Sequence, residues 1–215
     1  MCRSLVLWFL VAALLPGSAG ALELQTGRVE VSFHIEHPAK EYDAILLPDG
    51  GSARIQIDPS AIERTTASVS LKVDHFFSDN SRRDSHMIEV LEGLVFPTIE
   101  WTVTSVVGGS GPITPGVHRL TATGPLTIHG VTRPLSVPIE LTVGGKGELT
   151  IGAGFSVALE EFGIERPTMV FVPIENIVPI IVKVDTGPNP AVLAPPPGPP
   201  APSPEAPGPV APEGR

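Results

Sequence analysis

Six histidines are the side chains best suited to chemistry in this chain: His34, His37, His75, His86, His118 and His129. His34 and His37 sit three apart near the end of an alternating stretch, which puts them on opposite faces of an extended backbone. A metal shared between them requires the strand to break. The other four fall in separate segments with neither H-x-H nor H-E-x-x-H spacing. A histidine acts as a general base only beside a partner of defined geometry, and no neighbouring residue supplies one. Glu160-Glu161 offers two carboxylates, but adjacent residues in a strand point to opposite faces. Gly108-Gly109-Ser110-Gly111-Pro112 lacks the following Lys-Ser/Thr and the helix that a phosphate loop needs. The only cysteine is Cys2. No catalytic residues and no metal ligands emerge, and the expectation is a binding or structural protein that is not an enzyme.

The elements that would position any site are mostly strands. Arg28–Glu36 alternates Val29, Val31, Phe33 and Ile35 with polar residues, the pattern of a half-buried strand. Ser52–Asp58, Ala67–His75, Ile99–Val107, Glu148–Glu160 and Ile177–Asp185 repeat the device. The stretch Gly124–Val143 reads as a hairpin, with Val117–Ile128 entering, Leu135–Val143 leaving, and His129 to Pro134 between them. That makes eight strands. His37 to Gly51, with Pro38, Pro48 and Asp49-Gly50-Gly51, reads as loop. Between Ser81 and Gly93 the period changes: Met87, Val90, Leu91 and Leu94 form a helical stripe. Ser81 with Asp84 fits a capping box, and Gly93 fits a C-terminal stop.

An all-β chain of eight antiparallel strands closes into a barrel or splits into a sandwich, and the barrel is the first expectation. Pro125, Pro138, Pro173 and Pro179 each remove a ladder donor, which points to breaks or an imperfect seam. Inward apolar residues from different strands converge on one interior. Phe33, Ile57, Leu71, Val73, Trp101, Leu126, Val137, Ile139, Ala153, Phe155 and Val182 are the expected lining. Alternation leaves two readings open, a filled core or a cavity for a long apolar ligand.

The two ends differ from the middle. Residues 1–21 carry Arg3, the apolar run Leu5–Leu15 and an Ala19-Gly20-Ala21 ending, the pattern of a secretory signal peptide. That run is too short to span a bilayer, so no membrane span is expected after cleavage. Residues 187–215 hold 12 of the 25 prolines, and a disordered Pro-rich tail is expected there. Residues 22–186 form the single folded domain. The formal net charge is −9, with no basic run, so nucleic acid is not an expected partner.

Three segments carry a family likeness. Arg82–Trp101 resembles the R-D-x-H-[ML] helix and following F/Y-P-T strand entry of the YceI-like, polyisoprenoid-binding family, through Arg83, Asp84, His86, Met87, Phe96, Pro97 and Thr98. Gly124–Pro134 is similar to its G-x-L-T-I-H-G-V-T-[RK]-P hairpin at nearly every position, and this is the specific part. Phe162-Gly163-Ile164 resembles its D-F-G-I segment, with Glu161 in place of the Asp. The loop from Pro38 to Gly51 departs from the family's G-x-F pattern. The likeness implies an eight-stranded antiparallel lipocalin-like barrel with one short helix, secreted or periplasmic in a bacterium. It implies an apolar lipid ligand, a quinone or polyprenyl chain, and no other cofactor. Turn and cap roles account for Gly130 and Asp84, so the motif residues Arg83, Asp84, His86 and His129 are expected to pin helix and hairpin. The alternative reading is a filled barrel whose Pro-rich tail recruits a partner.

Overall fold

The computed structural model describes residues 21–25, 27–38, 40–169 and 171–193. Residues 1–20 of the expected signal peptide (1–21) and residues 194–215 of the expected tail (187–215) lie outside them.

The chain order is β1 (Leu22–Gln25), β2 (Arg28–Ile35), β3 (Tyr42–Leu46), β4 (Gly51–Ile57), β5 (Thr66–Lys72), β6 (Phe76–Phe77), α1 (Ser81–Val90), β7 (Thr98–Val103), β8 (Ser105–Val107), β9 (Gly116–Ile128), β10 (Val131–Val143), β11 (Leu149–Ala158), β12 (Thr168–Met169), β13 (Val172–Pro173) and β14 (Ile177–Asp185). Twelve strands form one antiparallel sheet in the order β1-β4-β5-β7-β9-β10-β11-β14-β2-β3-β6, with β8 on β9; β12 and β13 pair separately. The all-β class with a single helix therefore stands, but with more strands than eight. One added strand is β3, where a loop was expected: Ala44 and Leu46 turn inward between Pro38 and Pro48. Another difference is Val73, which leaves β5 for a 3-10 turn, Val73–His75.

The sheet curls on itself. β1 and β2, nearly continuous in sequence, pair with opposite sides of it, β1 with β4 and β2 with β14. The covalent chain thus bridges the seam that no single ladder closes. Gly51 at the start of β4 lies against Val29 of β2; a Cβ there would sit 3.0 Å from the valine's Cβ.

The β9–β10 hairpin turns on two residues, His129 (φ 52°) and Gly130 (φ 72°), the left-handed pair of a type I′ turn. Val131 to Pro134, expected in the turn, belong to β10: Val131 pairs with Ile128 and Pro134 with Pro125. Counted from the closing pair, the two prolines face each other at a position without ladder bonds, so neither strand loses a donor to the other. On its other side β10 joins β11 only from Ile139–Ala153 onward, so Pro134 and Pro138 occupy a stretch with no β11 partner.

Helix α1 is capped by Asn80, whose side chain accepts from Arg83 N at 3.1 Å; the expected Ser81 cap is displaced by one residue. Asp84 instead accepts from Ser78, through its N–H (2.9 Å) and Oγ (2.5 Å). The helix ends with Glu92, not Gly93, in the left-handed region (φ 46°), and Gly93 N donates to Ile88 O at 2.8 Å.

The folded part outruns the boundary expected at residue 186. Pro190–Leu193 form a 3-10 turn whose Val192 is fully buried in the same core cluster as Val143, Leu149 and Val184. Asn189 lies so close to Gly147 that a Cβ there would stand 2.0 Å from its carbonyl oxygen.

Candidate functional site

The interior is not filled. A cavity of about 250 Å³ runs between the inner face of the sheet and α1. Inward residues of β2 to β11 and of β14 make its walls, and Met87 and Val90 of α1, with Leu91 just after it, cover one end. Phe33, Leu71, Trp101, Leu126, Ile139, Ala153, Phe155 and Val182 of the expected lining face it. Trp101 turns its only polar group away, Nε1 donating to Gly124 O at 3.3 Å, so its ring presents carbon to the lumen.

Ile57, Val73 and Val137 do not reach the cavity. Ile57 is 1% exposed, at the end of β4 where it pairs with Leu22 of β1. Val73 is held in its 3-10 turn beneath Gly93, at the end of the helix. Val137 shares the inward parity of Leu135 and Ile139, yet packing covers it completely, at 0% exposed. Parity identifies the buried face; it does not separate residues that touch a lumen from residues that only support it.

Polarity in the wall is confined to few positions. Near α1 stand Tyr42, Arg83 and His86; deeper, Thr65 contributes a buried hydroxyl with no partner among the described residues. The Arg83 guanidinium lies 4.2 Å from the centre of the Tyr42 ring. Its Nε donates to Ser78 Oγ (2.9 Å) and Nη2 to Ser78 O (2.5 Å). Burial raises the Tyr42 phenol above its ordinary range, against the pull of Arg83. His86, 57% exposed, marks where the cavity meets solvent. Arg83 and His86, expected only to pin the helix, thus belong to the cavity wall. The signal was available: stepping back four residues from Met87 and Val90 gives Arg83 and His86, on the same helical face.

The other motif residues are structural. His129 Nδ1 stands 3.3 Å from Phe162 O, its ring packs edge-on to Phe96 at 5.0 Å, and Nε2 lies 3.5 Å from Glu92. A Cβ on Gly130 would sit 2.5 Å from the Phe96 ring, so the turn fits its neighbour only as glycine. Phe162 and Ile164 are buried beside the unpaired half of β10, where Arg133 Nε donates to Glu161 O at 3.0 Å. They close the gap that β10 and β11 leave.

The remaining histidines are engaged separately. His34 Nδ1 meets Asp43 (2.8 Å), His75 Nδ1 meets Asp74 (2.7 Å), His37 Nε2 meets Val172 O (3.1 Å) and His118 Nε2 meets Thr114 O (2.8 Å). Glu160 is paired with Arg166 at 2.8 Å. Among the described residues no three His, Cys, Asp or Glu side chains gather as a metal site, and no helix is long and apolar enough to cross a membrane.

This arrangement has known relatives. Residues 23–186 match the YceI-like domain. A UPF0312 protein of Pseudomonas savastanoi pv. phaseolicola is 32% identical over 146 residues, 64% of this chain and 71% of its own length. A UPF0312 protein of Pseudomonas putida is 34% identical over 119 residues, and the chain spans 58% of that relative's length. Among solved structures, BcnA of Burkholderia cenocepacia superposes with a TM-score of 0.60 at 15% identity, covering 73% of this chain and 95% of that one. A polyisoprenoid binding domain from Saccharophagus degradans superposes at 0.58 with 9% identity, covering 77% and 98%. At such identities these two speak for the fold.

Proposed function

The chain belongs to the YceI-like domain family, and from that premise we propose that it binds an isoprenoid-type lipid, a quinone or polyprenyl chain, without turning it over. The observation that carries the reading is a continuous apolar lumen, walled by the inner face of the curled sheet and roofed by one helix. Cavities of this kind take apolar ligands and use few polar groups to orient them. Affinity comes from chain length: roughly fifteen buried carbons at about 0.8 kcal/mol each give ~12 kcal/mol, against a cost of association of about 4–15 kcal/mol. The role is carriage or sequestration in the periplasm or outside the cell, supported by the leader-like pattern of residues 1–21.

Native mass spectrometry on protein purified from its own host tests this directly. A stoichiometric adduct with isoprenoid fragmentation is expected. A protein that stays bare after incubation with quinones and polyprenyl lipids overturns the reading. Ala153 lines the lumen between Ile139 and Val182 on the adjoining strands, so Ala153→Trp should cut occupancy severalfold while the β-sheet circular dichroism persists. Full occupancy in a folded A153W variant counts against the lumen as the site.

A further inference from the structure

The two most exposed large apolar side chains among the described residues stand at one end of the molecule. Phe171 is 97% exposed and Leu94 is 96% exposed, with Val172 and Val95 uncovered beside them. Phe171 sits at the tip of the short β12–β13 hairpin, closed by the Met169–Val172 pair, and its backbone lies in the left-handed region at φ 69°. Bulky residues rarely occupy that region, and a turn that needs it is better served by Gly or Asn. The segment Met169-Val170-Phe171-Val172-Pro173-Ile174 is six apolar residues in a row, where a hairpin tip in water is ordinarily polar. The base of the hairpin is fixed. Arg166 Nη1 donates to Ile174 O (2.9 Å), His37 Nε2 meets Val172 O (3.1 Å) and Glu175 N donates to Glu36 O (3.0 Å). The tip is held out, not tucked in.

Both tips belong to the end that opens. Pro167 and Ile174, at the base of the hairpin, line the lumen, as does Leu91 in the turn that carries Leu94 and Val95. Phe96, next after that turn, packs on His129, whose Nδ1 stands 3.3 Å from Phe162 O in the segment leading to β12. We propose that Phe171, Val172, Leu94 and Val95 seat the mouth of the lumen on a lipid bilayer, dipping into its interface so that a membrane-borne chain enters without crossing water. The proposal rests on the lipid-binding reading above and extends it to the surface from which the ligand comes. Four side chains on two loop tips fall short of the roughly 600 Å² a side that a specific protein interface needs, whereas a bilayer accepts separate apolar points without a matching shape. Glu89, Glu92, Glu165 and Glu175 flank the tips in sequence and the net charge is −9, so attraction to anionic head groups gives no help. The contact is made by apolar insertion into a zwitterionic surface.

The test is co-sedimentation of protein purified from its own host with phosphatidylcholine vesicles, plain or doped with phosphatidylglycerol. The wild type should partition onto plain vesicles, with no gain from phosphatidylglycerol and no loss in high salt. Phe171→Asn should lower partitioning about tenfold, the order of one large apolar side chain returned to water, and Leu94→Gln severalfold. Asparagine accepts a positive φ, so F171N should keep its turn and its melting temperature. Should that temperature fall, L94Q, on a separate loop, decides. A wild type that stays in the supernatant overturns the proposal and leaves lipid binding intact. So does equal partitioning of the wild type and the F171N/L94Q double variant, which would put the membrane contact elsewhere in the chain. A dimer in analytical ultracentrifugation that F171N dissolves, with no vesicle binding, gives the tip to a second copy and also overturns it. Vesicle binding that F171N loses, in a protein that native mass spectrometry finds bare of every quinone and polyprenyl lipid, sinks the lipid-binding reading and keeps the membrane contact.

Discussion

His34 and Asp58 show how single side chains here tune their own protonation, in opposite senses. The Asp43 carboxylate accepts from His34 Nδ1 and raises the imidazole above its usual 6.5, with added attraction from Asp43, Glu41 and Glu36. That contribution to stability is complete below the unfolded value and is lost as pH rises through the folded one. Asp58 goes the other way. The Ser60 hydroxyl (2.6 Å) and N–H (2.9 Å) hold its carboxyl below the usual range, ahead of Arg64. Its contribution is present above the ordinary carboxylate value and fades as pH falls through the folded one. Proton NMR should place the His34 midpoint above 6.5 and bring it down in D43N; S60A should raise the Asp58 midpoint and shift acid unfolding to higher pH. At this scale sequence and structure diverge most. Leu71, Ala153 and Val182 reach the lumen where period-2 alternation puts them. Ile57 and Val137 obey the same parity and stop short of it, because lumen contact depends on neighbours several strands away. Arg83 and His86 read as helix-pinning residues because a cap role already accounts for their neighbour Asp84, although helical spacing puts them on the lumen face.

At the scale of the element, ladders forgive proline and punish crowding. Gly124, in the middle of β9, lies beneath Thr102, and a Cβ there would fall 1.8 Å from that residue's carbonyl oxygen. Gly152 and Gly154 on β11 have nothing within 4 Å of the same position. Gly124→Ala should cost about 2–3 kcal/mol, since backbone must move to admit it. Gly152→Ala and Gly154→Ala should leave stability unchanged or slightly raised, because they only restrict the unfolded chain. Urea unfolding midpoints for the three variants separate the cases. The long strands β2, β4, β5, β9, β10, β11 and β14 were legible from alternation. The turn was not: His129 carries a positive φ that its residue type does not announce, so Val131 to Pro134 read as loop although Pro134 has a strand position that needs no N–H. β3 was hidden for a related reason, five residues of weak alternation between two prolines.

For the whole molecule, the informative departure is the segment after β14. Composition marks everything from Gly187 as tail, and proline content argues for it. One valine overrides that average, because Val192 is completely enclosed in the core and Leu193 packs beside it. Ending the chain at residue 193 should leave the melting temperature where the full chain has it. Ending it at 186 should remove about 2–3 kcal/mol, the worth of one fully buried aliphatic side chain, and lower the melting temperature by several degrees. Thermal unfolding of the two truncations checks this; equal stabilities would mean that Val192 is decoration.

The same anchor gives the molecule a direction. β10 runs 13 residues, about 40 Å at ~3.3 Å per residue, from the hairpin turn that packs on Phe96 to Val143 in the Val192 cluster. The helix and its rim therefore stand at one pole and residue 193 at the other. Anything fastened beyond Leu193, whether a sensor surface, a fluorescent fusion or a bead, holds the protein by its base. The opening then faces the bulk solution, so immobilisation through the C-terminus should leave ligand exchange rates equal to those of the free protein.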